Sequence, residues 1–350
     1  MAQIKFSVWN IEWMNDLFTG DPPVFKPDDS KVRGPKSGNT VFERRVDIAG
    51  VINEIDLAAL VIVEGPNRPK ELQLFFDSVE IAGDWICAVQ RSGAQSVGIA
   101  VRVDRGEFAN PPMTHFDSSL SNEAPILKEA TDSFQMDTDN DGLDEIHKFE
   151  RRPLYAELRL SDGTKFRVLG VHLKSKGIFN ALEWSAWWER AEGNRKKLLA
   201  QSFQLRESFL NPYLSNAETM DIPLIVCGDI NDGPGFDASE MRLRASGIER
   251  LMGSIWRPDL CFGNALYDAL DFDDRENMDF SQLYTASFKD PLFANVYQRV
   301  WIDHILYSRN RAGWIEDGMI WVEMEDGQKI YRKYPSASDH FPVTCNIDTS

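Results

Sequence analysis

The run Leu224-Ile225-Val226-Cys227 stops abruptly at Gly228-Asp229-Ile230-Asn231-Asp232-Gly233-Pro234. Four consecutive apolar residues predict a buried strand, and the Gly- and Pro-rich string predicts a turn at its end. Carboxylate and carboxamide groups at the mouth of a buried strand are costly without partners, and binding residues gather where strands end in loops. The pattern recurs: Asn10, Glu64, His172 and the pair Asp339-His340 also sit at the ends of apolar stretches. Asp303 lies inside one, Val300-Trp301-Ile302-Asp303-His304-Ile305-Leu306, where a charge needs a partner, and histidine is the natural one.

Between these points the chain alternates strand-like and helix-like periods. Strands are predicted at 4–9, 57–63, 85–89, 98–103, 301–307, 319–322 and 341–347. Residues 154–160 and 165–171, joined by Ser161-Asp162-Gly163, read as a hairpin. Helices are predicted over 42–55, 72–79, 181–210 and 238–251. In the third of these, Trp184, Trp187 and Trp188 share one face and are expected to pack in the core. Stretches near 16–40, 110–150 and 254–295 read as loop insertions, with Asp271–Glu276 a solvated acidic patch. The expectation is one domain over 1–350, a layered α/β fold with two sheets face to face and helices outside.

With 38 Lys and Arg against 55 Asp and Glu, the net charge is −17, which excludes a protein that grips nucleic acid through a broad basic face. It leaves open an enzyme that acts on phosphates through bound cations. Cys87, Cys227, Cys261 and Cys345 form no CxxC pair and are expected as free, buried thiols. No apolar stretch is long enough for a membrane span, and residues 1–9 lack the pattern of a signal peptide. A cytoplasmic protein is expected, or a secreted one if a signal has been removed; no protein partner is inferred.

The ordered set Trp-Asn10-Ile, Val-Glu64-Gly, Val-His172-Leu, Gly-Asp229-Ile-Asn231, Ile-Asp303-His-Ile-Leu and Ser-Asp339-His340-Phe-Pro resembles the endonuclease/exonuclease/phosphatase superfamily, the deoxyribonuclease I-like enzymes. The resemblance runs from residue 4 to 347 and implies a four-layered α/β sandwich, with two mixed β-sheets packed face to face. It implies that Glu64, Asn10 and Asp339 hold Mg²⁺ or Mn²⁺, whose preference is for such oxygen ligands. It further implies that His172 donates to the scissile phosphate, that Asp229 and Asn231 orient the attacking water, and that Asp303 fixes His340. Either Asp229 or His340 is then the general base.

Arg152, Lys174 and Lys176 are candidates for binding flanking phosphates, because Arg152-Pro153 resembles an element that contacts backbone phosphate in nucleases of the superfamily and His172-Leu-Lys-Ser-Lys is similar to a string in its bacterial nucleases. Asn231-Asp232-Gly233-Pro234 also departs from the inositol-phosphate 5-phosphatase pattern, although Trp301-Ile302-Asp303 echoes it. The expected function is a metal-dependent nuclease acting on DNA, with a phosphatase or phosphodiesterase of small-molecule or lipid phosphates as the alternative. Separately, Asp137, Asp139 and Asp141, followed by Gly142, Leu143 and Glu145, have the spacing of a calcium loop, except that position twelve is Lys148. They are candidates for a structural Ca²⁺ site.

Overall fold

The computed structural model describes residues 3–93, 95–117, 127–178, 183–234, 238–277, 283–290 and 296–348. Two six-stranded sheets form its centre. The first runs Ile315–Ile320, Val343–Asp348, Gln3–Asn10, Ala59–Gly65, Ser96–Arg102, Trp85–Gln90. The second runs Phe262–Asn264, Asp303–Ser308, Leu224–Asp229, Lys165–His172, Leu154–Leu160, Phe108–His115. Each is antiparallel except for one central parallel pair, Gln3–Asn10 with Ala59–Gly65 and Lys165–His172 with Leu224–Asp229.

Strand alternation explains the layers. Val61 and Val63 face inward onto Val168, Ile225 and Cys227 of the other sheet, in one core with Val8, Ile99 and Val343. Leu60 and Ile62 face outward onto Ile48 and Ile52 of the helix Val41–Ile55 and onto Leu72 and Phe75 of the helix Pro69–Phe76. On the far side, Leu169, Val171, Leu224 and Val226 meet Leu205, Phe209 and Leu210. Strands covered on both faces read as continuous apolar runs. Each such buried aliphatic side chain stabilises the fold by ~1.5–3 kcal/mol, which offsets the charge gathered at the strand ends. The result is the four-layered sandwich the motifs imply.

Several local expectations need correcting. Residues 110–148 are not all loop: Phe108–His115 is the outer strand of the second sheet, and Phe134–Met136 pairs with Glu145–His147. Pro111 and Pro112 obscured that strand, yet proline is tolerated at a sheet edge because no neighbour needs its missing N–H. In the stretch 254–295, Phe262–Asn264 joins the second sheet and Ala286–Asp290 pairs with Val296–Val300, while the acidic patch forms a short helix, Phe272–Asn277, with no buried residue. The helix expected over 238–251 is two, Ala238–Leu243 and Gly247–Met252, because Arg244 is left-handed and Ser246 caps the second by accepting from Glu249 N. The long helix spans Trp184–Leu205 and continues through a π turn at Arg206–Leu210; residues 181–182 lie outside the described residues. Trp188 is 52% exposed and packs edge-on against Trp187, so it is not a core residue, and the Trp184 side chain lies outside the description. All four cysteines are free; Cys227 and Cys345 are buried and Cys87 and Cys261 half-buried. Among the described residues no helix is long and apolar enough to cross a membrane.

Candidate active site

The two parallel pairs end side by side. Asn10 and Glu64 stand at or beside the ends of one pair, and His172 lies opposite Asp229 at the ends of the other. Asp303 begins the antiparallel strand next to Asp229 and is its register partner. Asp339 and His340 precede the strand that flanks Gln3–Asn10. The fold thus brings together all eight residues assigned to catalysis or metal binding, apart from Asn231, by strand ends alone. Asn231 joins them through a left-handed backbone, its side chain donating from Nδ2 to the Leu173 carbonyl at 3.2 Å.

Local geometry shows why these residue types occur here. Gly228 sits at φ 146°, and a Cβ there would stand 1.8 Å from the Val171 carbonyl oxygen, so only glycine can precede Asp229. Glu64 adopts φ 56° where pairing with the neighbouring strand shifts between Ile62 and Gly65. Such a bulge re-aims a side chain, and a left-handed non-glycine is a costly conformation that gathers at functional sites. Glu12 and Trp13 are left-handed too.

Asn10 Nδ2 donates to Asp229 Oδ2 at 3.1 Å, and Asn231 N donates to Asp229 Oδ1 at 3.0 Å. His340 Nδ1 meets Asp303 Oδ2 at 2.8 Å, the dyad the sequence implied. His172 Nε2 lies 3.7 Å from Asp229 Oδ2 and 4.0 Å from Glu64 Oε1. Trp13 N donates to Glu64 Oε2 at 3.0 Å. Asn10, His172, Asp229 and Asp303 form a buried floor, while Glu64, Asp339 and His340 are partly open above it.

Burial dominates the electrostatics. It raises the Asp229 carboxyl to about 7, helped by the charges of Asp303 and Glu64 and opposed by His340. It lowers His172 well below the usual histidine range, helped by Arg151, and so keeps that ring neutral. Burial would lower His340 as well, but the Asp303 carboxylate outweighs it and holds the ring well above the usual value, hence cationic.

The residues fit a hard divalent cation. Asp303 Oδ1, Asp339 Oδ1 and Glu12 Oε2 are buried without a hydrogen-bond partner. Carboxylate and carboxamide oxygens are the donors Mg²⁺ and Mn²⁺ favour. Glu12 was missed in the sequence. Burial and the charges of Asp339 and Glu64 push its carboxyl up to about 8, against the pull of Arg44, which places it in the same cluster. Two positions after Asn10, a lone glutamate between Ile11 and Trp13 carried no signal of its own. Thr285 was also missed. Its hydroxyl accepts from Ile302 N at 3.0 Å and Asp303 N at 2.9 Å, and its carbonyl accepts from Phe341 N at 2.7 Å, bracing both halves of the dyad.

The basic candidates divide. Lys176 is not available to a phosphate: its ammonium meets Glu240 Oε1 at 2.8 Å and also Asp232. Asp232 itself is fully buried and accepts from Ser246 Oγ at 2.9 Å and Ile248 N at 3.0 Å, so the Asn231-Asp232-Gly233-Pro234 string serves the scaffold at that residue. Arg152 is exposed, and its backbone N–H is bound by Ser92 Oγ. Arg151, overlooked in the sequence, donates to the Leu173 carbonyl at 3.5 Å and acts electrostatically on His172. Lys174 is half-buried beside the same loop, its N–H donating to Gln201 Oε1 at 2.8 Å. His304 does not pair with Asp303; its ring meets the Asp232 carbonyl at 2.8 Å and Asn264 at 3.1 Å.

In the acidic loop, Asp137, Asp139 and Asp141 do converge, with Asp137 accepting from Asp141 N and Gly142 N. Leu143 is exposed and its N–H is held by Asp141 Oδ1. Lys196 supplies an internal cation there, at 2.8 Å from Asp139 Oδ2 and 3.1 Å from Glu145 Oε1, with which a Ca²⁺ ion would compete.

The whole chain superposes on the endonuclease/exonuclease/phosphatase from Bacteroides vulgatus, with 100% of each chain covered, 12% identity and a TM-score of 0.53. It superposes on the mannosyl-6-phosphatase from Bacteroides thetaiotaomicron over 99% of this chain and 100% of that one, at 15% identity and a TM-score of 0.50. No family model and no curated protein matches the sequence. The chain has the fold of the endonuclease/exonuclease/phosphatase superfamily.

Proposed function

We propose that the protein is a metal-dependent hydrolase of phosphoric esters, and that its first substrate class is DNA, cleaved by in-line attack of water. One observation carries the reading: buried carboxylates, a neutral histidine and an Asp–His dyad converge from both sheets at one open edge. Glu64, Asn10, Asp339 and Glu12 would hold Mg²⁺ or Mn²⁺, which when bound neutralises charge on the phosphoryl and leaving oxygens. Asp229, steadied by Asn10 and Asn231, orients the water and takes its proton. His172 presents Nε2 to a non-bridging oxygen. His340, kept charged by Asp303, stabilises the developing negative charge, as a carboxylate behind an imidazole does in other Asp–His pairs. Arg151, Arg152 and Lys174 are the positive groups left to meet flanking phosphates.

A small-molecule phosphate is the second reading, because Lys176 is consumed by Asp232 and Glu240 and the overall charge is −17. Incubation with Mg²⁺ or Mn²⁺ and a panel of supercoiled DNA, single-stranded DNA, RNA, inositol phosphates and sugar phosphates separates them. Nicking of DNA that is lost in Glu64→Ala and His340→Ala supports the first reading. Phosphate release from the small substrates with all nucleic acids intact replaces it with the second.

A further inference from the structure

The helix Val41–Ile55 carries two adjacent arginines with opposite fates. Arg45 is half-buried and pairs with the carboxylates of Asp28 and Glu80, whereas Arg44 has no exposed surface. Both terminal nitrogens of the Arg44 guanidinium are spent on backbone carbonyls, while Nε has no partner. Nη1 donates to Ser336 O at 3.1 Å and to Ala337 O at 2.7 Å, and Nη2 donates to Ile11 O at 2.6 Å and also to Glu12 O. These carbonyls belong to two loops far apart in sequence, one carrying Glu12 and the other leading into Asp339 and His340. Gly34 packs closely over this corner, since a Cβ there would stand 2.2 Å from Asn39 Nδ2 and 3.0 Å from Arg44 Cδ.

We propose that Arg44 is a positioning residue of the candidate metal site, its planar fork fixing the Glu12 and Asp339 loops at the separation a cation requires. The inference rests on reading that cluster as a metal site. Burying a guanidinium is costly, and only its rigid array of donors can serve four carbonyls on two segments; a lysine ammonium cannot. Mg²⁺ demands near-ideal geometry, so slack between the loops weakens binding. Charge alone acts in the opposite direction. The cation faces Glu12, Asp339 and Glu64, and removing it would make the pocket more attractive to a metal.

The two roles therefore separate in Mn²⁺ titrations followed by the electron paramagnetic resonance of the free ion, on the full chain, well below the melting temperature of each variant. Arg44→Lys keeps the charge and loses the fork; Arg44→Met loses both. Positioning is supported if both variants bind Mn²⁺ about 10–100-fold more weakly, with the kcat/KM of Arg44→Lys partly restored by excess Mn²⁺. Wild-type affinity in Arg44→Lys, or tighter binding in Arg44→Met, overturns it. A measurement on the wild type needs no folded variant: Mn²⁺ must slow hydrogen exchange in residues 11–13 and 336–340 together, and slowing in one segment alone overturns the proposal. Wild-type protein that binds no Mn²⁺, or Glu64→Ala that binds it unchanged, overturns the metal-site reading instead.

Discussion

A carboxylate at the buried end of a strand must find a donor or a cation, and Asp303 finds His340 at 2.8 Å. Its second oxygen has no partner, so the residue is held by the ring it orients and by its own backbone N–H, which donates to the Thr285 hydroxyl. Asp303→Asn preserves the shape and one hydrogen bond but removes the charge that keeps the imidazole cationic. Turnover should fall by about 10²–10⁴-fold, while the melting temperature stays near that of the wild type; a collapse in melting temperature with equal loss of turnover would assign Asp303 to the scaffold. Glu12 belongs to the same scale. No local property distinguishes it from a surface glutamate until the last loop folds over it, and Arg44 is hidden in the same way by an ordinary amphipathic helix.

At the scale of elements, the helix Ala238–Leu243 is clipped to the site loops by a buried network of Lys176, Asp232 and Glu240. Burial, followed by the hydrogen bond and charge of Asp232, raises Glu240 from an ordinary 4.5 to about 7. The folded protein therefore holds a proton there that the unfolded chain releases between those values. Stability from this group is full below pH 4.5 and is lost as pH rises through 7. Thermal denaturation should show a melting temperature that falls from pH 5 to pH 8 and a flatter profile in Glu240→Gln; identical profiles would remove Glu240 from the network. None of this was legible in the His172-Leu-Lys-Ser-Lys string, where a lysine beside a histidine looks like a phosphate ligand until its partners are known. The central strands were legible because burial on both faces makes them unbroken apolar runs that stop at a polar residue. The edge strand Phe108–His115 was not, since only two of its eight residues are buried and its two prolines imitate a loop. The five polar strand ends and Asp303 were legible as an ordered set, although their convergence depends on two parallel pairs that no single stretch reveals.

Over the whole molecule, a net charge of −17 surrounds a site that already concentrates Glu12, Glu64, Asp229, Asp303 and Asp339. A divalent cation should relieve that repulsion and stabilise the fold, by ~2.7 kcal/mol at a hundred times its dissociation constant. Calorimetry with and without EDTA should show the gain in the wild type and its loss in Glu64→Ala; an equal gain in both would locate the ion elsewhere. The first strand, Gln3–Asn10, pairs on one side with Ala59–Gly65 and on the other with Val343–Asp348, so it is completed by nearly the last residues of the domain. Pairing across such a separation is slow to form. It also sets an order of events during synthesis: a ribosome that has not yet passed residue 348 carries a chain with Asn10 and Glu64 but without the strand that seats Asp339 and His340. Until that strand pairs with the first, the residues of the candidate site are not held in one place, so the site is among the last features of the domain to be assembled.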